Sequence, residues 1–101
     1  MSLTELRKKI DSIDRKLVAL LNARTRIAIE IGELKERQGL EPYDPVREEK
    51  VLQTVEQLNS GPLESSALKS IYRAIMSSAL AIEKHNACPC KGNLKRSKAK
   101  S

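Results

Sequence analysis

Leu3, Leu6, Ile10, Ile13, Leu17, Leu20, Arg24, Ile27, Ile31 and Leu34 follow one another in alternating steps of three and four residues. A seven-residue repeat sustained from the start of the chain to Leu34 predicts one long helix with a single apolar seam. The repeat contains no proline and, before its end, only Gly32 as an internal glycine. It should stop near Gly39, because glycine accepts the left-handed conformation that closes helices, and Pro42 follows soon after.

Asp44-Pro45 announces a second helix, with an N-cap carboxylate followed by proline at the first helical position. Val51, Leu52, Val55 and Leu58 form its stripe, and Asn59-Ser60-Gly61-Pro62 ends it. A third helix begins around Ser65 or Ser66, carries Leu68, Ile71, Tyr72, Ile75, Met76, Ala79, Leu80 and Ile82 at helical spacing, and should fade near Asn86. The expected fold is therefore all-α, with one long and two shorter helices.

A helix of about 35 residues is a rod of roughly 50 Å at 1.5 Å per residue. A compact domain of about 100 residues has a radius of gyration near 13 Å. Two shorter helices cannot cover so long a seam, so a second copy of the chain is expected to cover the remainder, with the long helices paired.

Composition sharpens this picture. The 101 residues include no Phe or Trp and only two tyrosines, and they are rich in helix-forming Leu, Ala, Lys, Glu and Arg. The formal net charge is +6, but Lys91, Lys95, Arg96, Lys98 and Lys100 place +5 of it in the last eleven residues. A near-neutral body argues against a domain built around a phosphate-binding face. Residues 3–86 read as one domain, and residues 87–101 read as a disordered basic tail, too polar to bury an apolar surface that would offset its ordering entropy. The N-terminus enters the amphipathic pattern directly and no stretch is long enough to span a bilayer, so the expectation is a cytoplasmic protein that does not engage membranes.

The candidate chemistry lies in charges on apolar faces. Arg24 occupies a seam position where a purely structural helix would carry Leu or Ile. It serves equally as a register device, as an interhelical ion pair or as an anion ligand, since a buried charge requires a partner. Lys35 lies eleven residues further on, within about 20° of the same face and roughly 16 Å along the axis. Together they can enclose a small dianion, although a lysine in a last turn is also ordinarily a solvated charge favoured by the helix dipole. Glu83 continues the apolar face of the third helix, either as a stripe-edge residue reaching solvent or as a buried carboxyl that holds its proton. Asp44 and Glu48 suit the start of the second helix on capping grounds alone. Arg7 is about 25 Å from Arg24 along the rod and cannot share its pocket within one chain. In an antiparallel pair of long helices, the partner's Arg7 can reach it.

These residues carry a resemblance. Leu6-Arg7-Lys8-Lys9-Ile10-Asp11, then Asp14, Leu20-Leu21, Arg24, Ala28, Gly32, Lys35 and Asp44-Pro45-Val46-Arg47-Glu48 resemble the all-helical chorismate mutases over roughly residues 3 to 86. The resemblance implies an intertwined homodimer that rearranges chorismate to prephenate on the route to Phe and Tyr, without metal or organic cofactor. It implies that Arg24 and the partner's Arg7 hold the substrate's two carboxylates, and that Lys35 contacts a carboxylate and the ether oxygen of the breaking bond. Asp44 and Glu48 would lie near the ring hydroxyl, Arg47 would support the charge balance, and Glu83, matching a position where members carry Gln or Glu, would donate to the ether oxygen from its protonated form. Ala79 departs from the family pattern, standing where many relatives have a Ser, with Ser78 beside it on an adjacent face.

Two other classes fit parts of the chain. An isochorismate pyruvate-lyase shares the fold and clamps a similar dicarboxylate, although Asp44 and Glu48 together match the mutase pattern. A helical dimerisation module whose basic tail binds nucleic acid or an acidic partner would use Arg24 for register, but the tail has no aromatic residue on which bases could stack. His85, Cys88 and Cys90 offer only three ligands where a tetrahedral structural zinc site wants four.

Overall fold

A computed structural model describes residues 2–87 of the chain as three helices. Helix α1 spans Leu3–Arg37, α2 spans Pro45–Leu58 and α3 spans Ser65–Ala87. The basic tail, with Cys88 and Cys90 of the three candidate metal ligands, lies outside the described residues.

Local chemistry at the helix ends accounts for these boundaries. The Ser2 side chain accepts the Glu5 backbone N–H at 3.1 Å and the Glu5 carboxylate accepts the Ser2 N–H at 2.9 Å, a reciprocal capping box that starts α1. At the other end Gly39 adopts φ +74. Its N–H donates to the Glu36 carbonyl and the Leu40 N–H donates to the Lys35 carbonyl at 2.8 Å, the paired bonds of a Schellman closure. That closure turns the chain back sharply enough for the Lys35 ammonium to donate to the Pro42 carbonyl at 2.7 Å. Asp44 caps α2 by accepting the Arg47 N–H at 3.1 Å, with Pro45 at the first position as expected. Asn59 then ties the α2–α3 turn, donating to the Leu63 carbonyl at 2.8 Å and accepting the Gly61 N–H at 3.0 Å.

The helices run up, down and up. Gly32 of α1 meets Glu83 of α3, and Arg24 lies against Tyr72, so α1 and α3 point the same way. The Lys69–Glu56 ion pair at 2.8 Å joins the start of α3 to the end of α2, which makes that pair antiparallel. Helix α3 packs against both α1 and α2, whereas α1 and α2 scarcely touch. The core is correspondingly small: Ala28, Leu52, Val55, Met76 and Ala79 are its buried apolar side chains.

The described residues measure 53 × 32 × 15 Å, with a radius of gyration of 16.8 Å. One long dimension is α1 itself. Within the chain α3 covers only the C-terminal half of α1, where Ala28 and Gly32 are buried. Leu3, Leu6, Ile10, Ile13, Leu17 and Leu20 of the seam are all exposed, at between 46% and 67% of their surface. So extended an uncovered apolar strip is unusual for a lone chain. No helix among the described residues is long and apolar enough to cross a membrane.

Candidate active site

The gap between α1 and α2 is the site. Because both helices lean on α3 rather than on each other, they leave a half-open cavity of about 230 Å³. Arg24, Ile27, Ala28, Ile31 and Lys35 form one wall. Pro42, Asp44, Arg47, Glu48 and Val51 form the other, and Met76, Ala79, Leu80 and Glu83 of α3 make the floor. Apolar side chains with a few convergent charges are the usual make-up of a small-molecule site.

Six of the seven residues singled out from the sequence line this one cavity: Arg24, Lys35, Asp44, Arg47, Glu48 and Glu83. Helical periodicity explains the α1 pair, since eleven residues bring Lys35 back to the face that holds Arg24. Arg7 is not among the lining residues and stands exposed on the uncovered half of α1. Ala79 is buried in the floor while Ser78 is exposed and does not line the cavity, so Ser78 does not replace the missing hydroxyl.

Electrostatics set the site's character. Among the described residues the one side-chain ion pair is Lys69–Glu56, well away from the cavity. Arg24, Lys35 and Arg47 thus reach it without a carboxylate bound to any of them. Arg24 is half-buried and its guanidinium carbon sits 5.9 Å from the centre of the Tyr72 ring. Lys35 has given one of its three donors to Pro42 and keeps the others for the cavity.

Glu83 is the counterpoint. Its Oε1 is shut off from solvent and makes no hydrogen bond. Burial pushes the carboxyl above its ordinary value of 4.5, and the nearby Lys35 and Arg24 charges pull the other way without overcoming it. In its protonated form, which burial favours, the carboxyl can donate a hydrogen bond into the cavity. Gly32 permits its position: a Cβ there would lie 3.0 Å from the Glu83 Cβ and 3.1 Å from its Cγ. The missing side chain lets α3 come close enough to α1 for Glu83 to reach the same space as Lys35.

The profile of the family described as Chorismate mutase type II matches residues 6–84. The chain belongs to the type II chorismate mutases. Among relatives of this family, the bifunctional chorismate mutase/prephenate dehydratase of Aquifex aeolicus is 41% identical over 86 residues, covering 81% of this chain and 24% of the relative. The chain thus spans about a quarter of the length of the first curated relatives it matches. Of solved structures, a chorismate mutase of Thermus thermophilus superposes with a TM-score of 0.80 at 34% identity, over 81% of this chain and 93% of that one. The Helicobacter pylori chorismate mutase in complex with prephenate gives 0.76 at 28% identity, over 83% and 91% of the two chains. The all-helical fold of the type II mutases is therefore the fold of this chain.

Three features of this site were not found by reading the sequence. The Pro42 carbonyl that holds Lys35 has no side-chain signature. Tyr72 reads as an ordinary member of an apolar stripe. Gly32 did leave a signal, because a lone glycine inside a long helix costs about 1 kcal/mol relative to alanine and so invites a packing explanation.

The raised carboxyl has a consequence for stability. A proton held more tightly in the folded than in the unfolded state stabilises the fold fully below the unfolded value of 4.5 and loses that contribution as pH rises through the folded value. The melting temperature of the ligand-free wild type, taken relative to Glu83→Gln, should therefore fall as pH is raised from about 4 toward neutrality. Parallel melting curves for the two proteins across that range would show that Glu83 titrates as an ordinary surface carboxylate.

Proposed function

We propose that this chain catalyses the intramolecular rearrangement of chorismate to prephenate, and does so as an intertwined homodimer. One observation carries the reading: Arg24, Lys35 and Arg47, none of them in an ion pair among the described residues, converge on one cavity with a carboxyl whose hold on its proton is strengthened by burial, which suits a dianionic substrate with a developing oxyanion. The family's name, and the prephenate bound to the Helicobacter pylori relative, supply the substrate class.

On this reading Arg24 and the partner's Arg7 hold the two carboxylates and favour the compact conformer in which the reacting carbons approach one another, which is catalysis by proximity. Asp44 and Glu48 meet the ring hydroxyl, and Arg47 balances their charge. Lys35 and the protonated Glu83 donate to the ether oxygen, where negative charge grows as the bond breaks. Donors already aimed at that oxygen stabilise the transition state without reorganisation. The reaction is a concerted rearrangement and asks for no nucleophile, metal or organic cofactor.

The dimer is part of the proposal because the single chain is incomplete in two ways that share one remedy. Its seam is bare from Leu3 to Leu20, and Arg7 stands on that same uncovered half of α1. A second long helix laid antiparallel along the first would cover the seam and carry its own Arg7 to the cavity. Residues 3–86 form the catalytic domain on this reading, ahead of the basic tail. The substrate is a small water-soluble metabolite, which suits a cytoplasmic setting with no membrane or nucleic-acid partner.

Chorismate consumption with prephenate as the product is the direct test. Wild type should turn over, Lys35→Ala should lose about 10²-fold or more in kcat, and Arg24→Ala should lose kcat/KM by a comparable factor while each variant stays helical and dimeric. Appearance of pyruvate from isochorismate, with chorismate untouched, would assign the site to a pyruvate-lyase instead.

Protonation of Glu83 should also leave its mark on the rate. Activity is expected to decline as pH rises through the raised Glu83 value, and Glu83→Gln, whose amide donates at every pH, should lack that limb. Retention of the limb in the Gln variant would remove Glu83 from the donor role.

For the dimer, Leu17→Glu is the informative change. Leu17 is 50% exposed in the single chain, so in a monomer the substitution would cost within about 0.5 kcal/mol. Sedimentation should instead report dissociation, and activity should disappear with the dimer.

A further inference from the structure

The two cations on α1 are matched on α3 at the same interval. Arg24 and Lys35 are eleven residues apart, as are Tyr72 and Glu83, and the two helices run in the same direction. Glu83 thus lines the cavity with Lys35, while Tyr72 stands behind the cavity lining and meets it only through Arg24. Tyr72 is the member of this set that neither the sequence pattern nor the proposed reaction uses.

Its geometry is specific. The Arg24 guanidinium carbon lies 5.9 Å from the ring centre, within cation–π range, and both residues are half-buried. Arg24 makes no hydrogen bond or ion pair with any other described residue, so the ring is the one group holding a long side chain with several rotatable bonds. The choice of an aromatic ring has a physical logic. A carboxylate at position 72 would orient Arg24 but would also neutralise it and occupy its N–H donors. A π face attracts the guanidinium plane while leaving its edge, where the donors lie, free for a bidentate carboxylate.

We infer that Tyr72 is a positioning residue that orients Arg24 across the cavity without cancelling its charge, and so lowers the entropy lost when an anionic substrate is clamped. The inference rests on the chorismate reading for its substrate but not for its geometry, and the test separates the two. On that reading the carboxylate clamped by Arg24 is present in the ground state and the transition state, and Tyr72 changes only how far Arg24 is ordered before binding, so loss of the ring should act chiefly on KM rather than on kcat.

The experiment compares wild type, Tyr72→Phe and Tyr72→Leu in two ways. In chorismate kinetics Tyr72→Phe should keep KM within about twofold, whereas Tyr72→Leu should raise it about fivefold, the size of a partly desolvated cation–π contact, with kcat nearly unchanged. In NMR spectra of the ligand-free protein, the Arg24 Nε–H resonance should carry a ring-current displacement that survives in Tyr72→Phe and is lost in Tyr72→Leu. An unchanged KM in Tyr72→Leu, a fall confined to kcat, or equal impairment of Phe and Leu would overturn the inference. Absence of turnover by wild type would defeat the chorismate reading instead. The NMR comparison, needing no substrate, would then decide alone whether the ring holds Arg24, and an Arg24 resonance indifferent to the ring would sink the positioning role.

Discussion

The candidate site is organised around one constraint, the placing of Arg24 on the apolar seam of α1. A guanidinium taken out of water costs several kcal/mol unless compensated, and a carboxylate partner would be the usual remedy. None is bound to it among the described residues. The fold keeps the cation beside a half-open cavity and an aromatic ring instead, where the charge stays solvated enough to tolerate and uncancelled enough to use. Lys35 is handled similarly, with one donor given to a backbone carbonyl rather than to an acid. A carbonyl orients the ammonium but does not neutralise it. The resulting cavity holds both cations without an ion pair to either among the described residues.

Glu83 meets the complementary constraint. A carboxylate beside two cations would ordinarily ionise and form ion pairs with them, closing the site on itself. Burial against the α1 surface opposes that, and its effect on the carboxyl outweighs the pull of Lys35 and Arg24. The burial depends on how closely α3 approaches α1, and that approach depends on the absent side chain at Gly32. A single hydrogen in place of a methyl group thereby bears on the protonation state of a residue 51 positions away in the chain.

The length of α1 links architecture to chemistry. Its C-terminal half supplies the wall of the cavity and packs on α3, while its N-terminal half offers an apolar strip and Arg7 with nothing in the same chain to receive them. Under the proposed dimer one helix serves two cores and two sites at once. The small intrachain core, with five buried apolar side chains among the described residues, is then only part of what the assembled protein would bury.

The three helices and nearly all their ends were legible in the sequence, because each rests on short-range physics: a heptad seam, an Asp-Pro start, a glycine in left-handed backbone. Capping at Ser2 was equally local and simply went unread. The convergence of Arg24 with Lys35 was also legible, since helical periodicity alone aligns residues eleven apart. That Asp44, Arg47, Glu48 and Glu83 join them was expected from resemblance rather than from the residues themselves, which left Glu83 open between solvent and burial. Tertiary structure decided that question, along with the partners of Lys35 and Arg24. The reason is that orientation and desolvation at the cavity depend on three chain segments meeting, on the Pro42 carbonyl, the Tyr72 ring and the bare surface at Gly32. No periodicity along one segment encodes the distance to another.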